Sequence, residues 1–243
     1  MRNSTKSAPP DLACWACSSA VATSRGSSTS MGTATSVMSQ DRTMSSMSED
    51  SHELDLELSR TARLIRRHCD ASLRFDEHFQ PVRYCRATDG RLIIPAMAAI
   101  QMAEELVLHV PDATDQSLQL MVTGEPFADH DPLGREADRW RIHFGEPDDL
   151  QWLALELDLG KRDGLVFDGE ALQEPHAYPE QEPALLRALQ TEQEFIEQRA
   201  ASLLGHAPEE ARPVAADQYG LTVRVRLGTV RLEFEAPQHD PEP

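Results

Sequence analysis

The chain has 243 residues, with 41 Asp or Glu against 23 Lys or Arg, so its formal net charge is −18 at pH 7. This much negative charge repels nucleic acid and anionic lipid surfaces, so the sequence predicts neither as a partner. No stretch approaches the ~20 apolar residues of a membrane span, and residues 12–21 are too interrupted by polar residues to act as a secretory signal. We therefore expect a cytoplasmic protein that does not cross a membrane.

Residues 1–50 are rich in Ser, Thr and Met and show no apolar periodicity. Such a segment buries too little apolar surface to offset its ordering entropy, so we expect a disordered tail. An over-extended start, with Met44 or Met47 as the first residue, is the alternative. Cys14 and Cys17 have the two-residue spacing of redox pairs and zinc sites, but no flanking strand and helix or further ligands accompany them.

The segment 53–69 predicts an amphipathic helix, because apolar residues recur at helical spacing opposite Arg and Glu. Asp50 is the predicted N-cap of this helix, and Glu53 completes a capping box. Residues 96–109 are rich in good helix formers and predict a second helix, although 106–110 alone also fits a strand.

Short segments of alternating or β-branched residues, separated by turn signals, predict strands. They are residues 82–88, 91–94, 117–123, 139–144, 153–159 and 165–167. Asp89-Gly90 predicts a two-residue turn between the first two of these strands. Gly124 and Pro126 are expected to end the strand that begins at residue 117. Six short strands with such turns predict a closed or partly open antiparallel barrel.

The C-terminal part predicts a long helix followed by a β-hairpin. Residues 169–181 contain two prolines and no clear periodicity, so they are predicted to be irregular. The helix is expected to begin at Pro183 and to end at Gly205. Apolar residues alternate on both sides of Gly228-Thr229, which predicts the hairpin turn there. The predicted organisation is a tail (1–50), a barrel (51–172), a linker (173–182) and a helix-plus-hairpin domain (183–237).

This order of elements resembles the pyridoxamine-phosphate-oxidase-like split barrels, and specifically their haem-utilisation (HugZ-type) branch. The segment Asp217-Gln218-Tyr219-Gly220-Leu221 is similar to the Asp-x-x-Gly-Leu strand entry of that branch's small C-terminal domain, with Arg231 and Phe234 on its closing strand. The Asp89-Gly90-Arg91 hairpin resembles the family's first barrel hairpin. The resemblance implies an α+β fold, a split antiparallel β-barrel with a small C-terminal α/β-hairpin domain. It also implies a homodimer that holds FMN or haem between its subunits.

Three segments differ from the family's pattern. Family members carry a His-x-Asn-x-Asp-His run, a Leu-Ala-x-His-Thr-x-Asn segment and a Gly-Phe-Gly-x-Ala barrel end. The corresponding residues here are 188–193, 96–102 and 167–171, and the first two segments lack histidine. Two functions therefore stay open. One is an FMN-dependent oxidoreductase or haem-handling protein, and the other is a cofactor-free binding or assembly protein that has lost the family's site.

Four arginines are candidates for binding a cofactor phosphate, because guanidinium groups donate paired hydrogen bonds to phosphate. They are Arg86, Arg91, Arg139 and Arg141. A two-residue turn would pair Thr88 with Arg91 and place Arg86 and Arg91 on one face of the hairpin. Arg139 and Arg141 would share one face of strand 139–144. The alternative is that all four form salt bridges at the surface.

No catalytic residue and no metal site is predicted among the other polar residues. His143 is expected to point outward from strand 139–144, and His239 lies in the terminal tail. Glu105 and His109 would share one helix face without a third ligand. The acidic pairs Glu104-Glu105 and Asp148-Asp149 are predicted to be solvated rather than catalytic.

Overall fold

The computed structural model describes residues 41–148, 151–234 and 237, with side chains from His52 onward. The Cys14–Cys17 pair, Asp149, His239 and the tail up to residue 40 therefore lie outside the described residues. The described part is α+β, as expected, with a curled antiparallel sheet, several helices and a separate three-stranded sheet.

The helices of the described residues are α1 (Asp41–Arg67), α2 (Ala98–Gln101), α3 (Gly134–Phe144), α4 (Gly169–Leu172), α5 (Glu182–Leu189) and α6 (Gln193–Leu204). The large sheet contains β1 (Asp70–Phe75), β2 (His78–Arg83), β3 (Cys85–Arg86), β4 (Leu92–Pro95), β5 (Leu106–Val110), β6 (Leu118–Phe127), β7 (Trp152–Arg162) and β8 (Leu165–Asp168). The small sheet contains β9 (Arg212–Asp217), β10 (Gly220–Val225) and β11 (Gly228–Glu233). None of the helices in the described ranges combines the length and apolarity that crossing a membrane requires.

The large sheet curls because strand β2 runs almost directly into β3. Its order is β2–β1–β5–β6–β7–β4–β3, with antiparallel pairing throughout, and β8 pairs with β7. A single residue, Tyr84, separates β2 from β3, so the two ends of this order meet there. The Tyr84 amide donates to the carbonyl of Cys69 at 2.8 Å, and its hydroxyl donates to the carbonyl of Ile65 at 2.9 Å. The curled sheet thus forms a half-open (split) barrel, and α1 packs over the junction.

One face of each barrel strand fills the interior with aliphatic side chains. They include Leu73, Val82, Leu92, Ile94, Leu108, Leu120, Leu153 and Leu155. Helix α1 covers this core with Ala62 and Ile65. The predicted helix 53–69 is thereby confirmed as far as Arg67, but the helix begins at Asp41. Asp50 is therefore not its N-cap, and residues 41–50 of the predicted tail are helical.

The first barrel hairpin has a register that differs by one residue from the predicted one. Cys85 pairs with Ile93, Arg86 pairs with Leu92, and the Ala87 amide donates to the Arg91 carbonyl at 2.8 Å. The loop therefore has three residues, 88–90, and Gly90 takes the positive φ of 92° that such loops require. Because successive residues of a strand face opposite ways, this shift places Arg86 and Arg91 on opposite faces.

The segment 139–144 belongs to helix α3, so the predicted strand is wrong. Its alternation of Trp140, Ile142 and Phe144 is coincidental, because the Ile142 side chain is 52% exposed. The side chains that pack against the barrel are Leu133, Ala137, Trp140 and Phe144. They are spaced by three or four residues, which is the helical period. The outer surface of the barrel at β3, β4 and β7 is covered by this helix.

Several other boundaries also differ. Residues 96–109, which were predicted as one helix, form the short helix α2 followed by strand β5. The alternative prediction of a strand at 106–110 is therefore confirmed. Strand β6 continues through Gly124 and Pro126. Strands β1 and β9 were not predicted. The predicted long helix is α5 and α6, which are interrupted at residues 190–192, and Gly205 ends α6 as expected.

The C-terminal unit consists of α5 and α6 packed on the small sheet. The predicted alternation is confirmed for Leu221 and Val223, which pack with Leu232 and Ile196. The hairpin turn, however, lies at residues 226–227, because Val225 pairs with Gly228. Leu227, which was predicted to continue the apolar face, is in this turn and 92% exposed.

Candidate functional site

The four predicted arginines do not converge on one point. Arg86 and Arg139 line the same buried cavity. Arg91 instead pairs with Asp89 at 2.8 Å and with Glu125 at 2.5 Å. Arg141, on α3, pairs with Asp129 and Asp138, each at 2.9 Å. The last two arginines form surface salt bridges, which is the predicted alternative.

The cavity that Arg86 and Arg139 share has a volume of about 40 Å³ and lies between the barrel and the C-terminal unit. We call it the central cavity. Helices α1 and α3, strand β3, the segment after α4 and the small sheet all contribute to its wall. Its charged side chains are Arg66, Arg86, Arg139, Glu182, Asp217 and Arg231.

Glu182 connects the C-terminal unit to α3 on one side of the central cavity. Its two oxygens accept hydrogen bonds from Arg139, at 3.0 and 2.5 Å, and one also accepts from the Ala216 amide at 3.0 Å. The His176 Nε2 lies 3.6 Å from the same carboxylate and donates to the Ala216 carbonyl at 2.7 Å. Burial by itself raises the pKa of Glu182. The His176 and Arg139 side chains outweigh burial and bring the pKa to about 2.

Asp217 connects β9 to β11 and to the barrel on the other side. It accepts hydrogen bonds from the Arg231 guanidinium and, at 2.9 Å, from the Tyr219 amide. Its second oxygen lies 3.6 Å from Arg86. Burial raises the pKa of Asp217, but the nearby charges of Arg231 and Arg86 lower it below its usual value. The aspartate of the Asp-x-x-Gly-Leu segment therefore closes the turn into β10 and anchors the closing strand.

The segment predicted as a linker contributes a third set of contacts. Glu174 accepts hydrogen bonds from the Tyr219 hydroxyl at 2.6 and 2.7 Å. Arg66 lies over the Tyr219 ring, 3.8 Å from its centroid, and pairs with Glu174 at 3.4 Å. The Glu174 carbonyl also accepts from Arg86 at 2.5 Å. These contacts fix α1 and β3 against the C-terminal unit.

His143 lies inside the protein, so its predicted outward orientation is wrong. Because α3 is a helix, His143 follows Arg139 by one turn and its Nδ1 donates to the Arg139 carbonyl at 2.8 Å. Only 4% of the residue is exposed. Burial lowers the pKa of His143 to about 4, so the ring is neutral near pH 7.

The other candidate ligands do not form a cluster. His109 lies on strand β5 rather than on a helix, and Glu105 pairs with Arg74 at 2.7 Å. Across the described ranges, no three His, Cys, Asp or Glu side chains are placed to share a metal ion. The two cysteines in these ranges, Cys69 and Cys85, are free thiols, and burial raises the pKa of both.

The residues at the central cavity do not fit FMN or haem. Pockets for ligands of this size enclose roughly 300–1,000 Å³, whereas the cavity encloses about 40 Å³. A flavin phosphate also needs several unpaired donors that point at one place. Arg86 and Arg139 already bind carboxylates or carbonyls, and Arg91 and Arg141 lie elsewhere.

The chain is similar in structure to the protein Atu2129 from Agrobacterium tumefaciens str. C58, a protein of unknown function. The TM-score is 0.60 at 12% sequence identity, over 76% of this chain and 90% of that chain. At this identity the similarity establishes the fold alone. No protein-family model and no curated protein matches the chain.

A second feature is a row of mostly apolar residues, interrupted by Arg74, on the outside of the barrel. One row of paired residues crosses five strands, from β2 through β1, β5 and β6 to β7. Its members are Phe79, Arg74, Val107, Met121 and Leu159. Phe79 is 55% exposed and Met121 is 45% exposed. Val107, between them, is only 5% exposed. We call Phe79, Met121, Leu159 and the neighbouring Val166 on β8 the outer patch.

Sequence reasoning missed Glu182, His176 and Arg66 as members of the central cavity. Glu182 is 43 residues from Arg139 along the chain, so no local spacing connects them. The sequence contains one weak indication, in the segment after α4. Glu174 and His176 lie on either side of a proline there, and not within a run of charged residues of the kind that solvent usually surrounds. The outer patch was also missed, because β1 and β2 were not predicted as a pair.

Proposed function

We propose that this chain is a cofactor-free assembly protein that pairs with a second copy of itself through the outer patch. The observation that carries the proposal is the row across five strands, in which every member except Arg74 is apolar and Phe79 and Met121 are about half exposed. Several exposed apolar side chains on one face of a sheet are typical of a protein contact rather than of a solvated sheet. We also propose that the chain is a divergent HugZ-type split barrel, supported by its element order and its Asp217–Arg231 contact.

The charges around the outer patch support a second copy as the partner. Arg74 lies within the row, between Phe79 and Val107, and pairs with Glu105. Lys161 and Asp168 pair with Val166 and Leu159 across β7 and β8, so both signs of charge are present. A two-fold axis brings the same surface of each copy together, and mixed charges then allow opposite signs to meet. We also propose a cytoplasmic location. The net charge of −18 supports the further proposal that nucleic acid is not a partner.

Met121→Asp is expected to dissociate the dimer, because it buries a charge at the centre of the proposed contact. If the substitution weakens the free energy of dimerisation by about 2 kcal/mol or more, the dimer Kd rises roughly 30-fold. Sedimentation equilibrium over a range of protein concentrations would measure this. The matched control is Leu227→Asp, which changes an exposed leucine in the hairpin turn of the C-terminal unit and should leave the dimer intact. A monomeric wild-type protein, or equal Kd values for both variants, would contradict the proposal.

Flavin or haem binding is the second candidate function, and one observation favours it. An open cleft of about 410 Å³ lies beside α3, and its wall includes Trp140, Phe144 and Arg83. This volume falls within the range of small-molecule sites. Arg83 lies 5.9 Å from the centroid of the Phe144 ring, so an aromatic surface and a cation adjoin there.

Titration of the purified protein with FMN and with haemin would test this second candidate. Binding in the cleft should shift the flavin bands or the Soret band, and Phe144→Ser should weaken that shift. Ile142→Ser, which changes an exposed residue on the same helix, serves as the control. Spectra identical to those of the free cofactors would instead favour the cofactor-free protein.

A further inference from the structure

His109 lies on the outside of the barrel, beside the outer patch. Residues 106, 108 and 110 of β5 belong to the barrel core, so the side chain of His109 faces the other way. Its ring lies 5.7 Å, centroid to centroid, from the ring of Phe79, which is 55% exposed. Its neighbours across the strands are Ser72 on β1 and Gln119 on β6. A titratable ring therefore lies directly against one of the apolar side chains of the patch.

The surroundings of His109 favour its neutral form. Both ring nitrogens are shielded from solvent, and neither has a hydrogen-bond partner among the described residues. The neutral ring carries one N–H donor, whereas the protonated ring carries two donors and a positive charge. A shielded cation without an acceptor costs more free energy than the neutral ring does. Burial, with a smaller contribution from the charge of Arg74, accordingly lowers the pKa of His109 below its usual value of 6.5.

The nearest charged and titratable groups do not supply the missing acceptor. They are Asp70 and Arg74 on β1, His78 and Arg83 on β2, Glu105 and Asp112 before and after β5, and Lys161 on β7. Glu105 pairs with Arg74 at 2.7 Å, and Asp70 pairs with Arg83 at 3.4 Å. Lys161 lies one strand beyond Gln119. None of these groups forms a hydrogen bond with the His109 ring.

We propose that protonation of His109 dissociates the dimer that forms through the outer patch. Contact between two copies covers Phe79 and places the ring of His109 beneath a second protein surface. A proton is then bound less favourably than in the single chain, because burial without a partner disfavours the charged form. In the separated chains Phe79 can move aside and water can reach the ring. This proposal rests on the assembly function proposed above and adds control by pH to it.

The direction of the pH dependence follows from the preference for the neutral ring. Dimerisation lowers the pKa of His109 further than burial in the single chain does. Above pH 6.5 the ring is neutral in both states, so the full affinity between the two copies is present. As the pH falls through the pKa of the single chain, the separated chains bind protons that the dimer does not, and the dimer Kd rises.

Sedimentation equilibrium of the full chain at pH 8.0 and at pH 5.5 tests the proposal. The dimer Kd should rise about tenfold between the two, because each of the two chains binds a proton when they separate. His109→Gln keeps a polar side chain but does not titrate, so its Kd should be nearly equal at both pH values. The matched control is His78→Gln. His78 precedes Phe79 and is exposed, but it faces the other side of β2, so this variant should keep the wild-type pH dependence.

The results distinguish this proposal from the one on which it rests. A protein that is monomeric at pH 8.0 contradicts the dimer and, with it, the control by pH. A dimer whose Kd is equal at both pH values, or rises as much in His109→Gln as in the wild type, overturns only the role of His109.

An NMR titration of the His109 ring in the wild-type protein gives an independent test that does not need a variant to fold. At protein concentrations above the Kd, the midpoint of the titration should lie at a lower pH than at concentrations below it. The same midpoint at both concentrations would refute the proposal, since dimerisation would then leave the protonation of the ring unchanged.

Discussion

Glu182→Gln is expected to lower the free energy of unfolding at pH 7 by about 3 kcal/mol or more. The substitution preserves the shape of the side chain but leaves Arg139 without its bidentate partner. Both side chains are largely buried, 5% exposed for Glu182 and 17% for Arg139, so water cannot replace the lost contact. Urea denaturation followed by tryptophan fluorescence would measure the loss.

Glu209→Gln is the matched control for this prediction. It removes a carboxylate that also binds an arginine, Arg226, but both side chains are more than 60% exposed. Exposed pairs contribute about 0–1 kcal/mol, so this variant should unfold nearly as the wild type does. Replacing both Arg139 and Glu182 by methionine should cost less than the sum of the single changes. If Glu182→Gln is as stable as Glu209→Gln, the pair does not hold the C-terminal unit in place.

His143 is expected to make the protein less stable as the pH falls from 6.5 to about 4. Burial holds the pKa of His143 at about 4 in the folded protein, whereas the unfolded chain has the usual value of 6.5. Above pH 6.5 the ring is neutral in both states, and its full contribution to stability is present. Between these values the unfolded chain binds a proton that the folded protein does not, so unfolding becomes more favourable. At 1.36 kcal/mol per pH unit, the loss is about 3 kcal/mol.

His143→Asn separates this effect from the titration of the carboxylates. The asparagine amide can still donate to the Arg139 carbonyl but does not titrate in this range. The difference in unfolding free energy between pH 7.5 and pH 4.5 should therefore be about 2–3 kcal/mol smaller in the variant. His130→Asn changes an exposed histidine and should keep the wild-type pH dependence. A pH dependence that is unchanged by His143→Asn would mean that the ring does not remain neutral in the fold.

The parts of the fold that could be predicted are those specified by local patterns. Leu221 and Val223 alternate within one hairpin, so the pairing of β10 with β11 was evident from period two alone, whereas β9 was not predicted. Helix α3 was not evident from the sequence, because Trp140, Ile142 and Phe144 alternate over six residues as they would in a strand. A longer window that included Leu133 and Ala137 would have shown the helical spacing. The periodicity of apolar residues distinguishes a helix from a strand only when the sequence window is longer than one or two helical turns.

The candidate site was predictable only in part, for a different physical reason. Of the four arginines that were selected together, Arg86 and Arg139 line one cavity, but Arg91 and Arg141 do not. A loop of three residues instead of two was enough to move Arg91 to the other face, since strand register has period two. Glu136 on the same helix lies 3.3 Å from Arg139, but Asp217 and Glu182, which pair with Arg86 and Arg139, come from the C-terminal unit. Such long-range pairs depend on tertiary packing, which the sequence pattern does not encode locally.

The position of β7 within the barrel has a consequence for synthesis of the chain. This strand pairs with β6 along one edge and with both β4 and β8 along the other, although β4 precedes it by more than fifty residues. A nascent chain that has not yet reached Trp152 therefore carries two strands with unsatisfied backbone groups and apolar side chains. Open edges of this kind recruit strands from other molecules. Premature termination before Trp152 would thus yield an aggregation-prone fragment rather than a smaller folded protein.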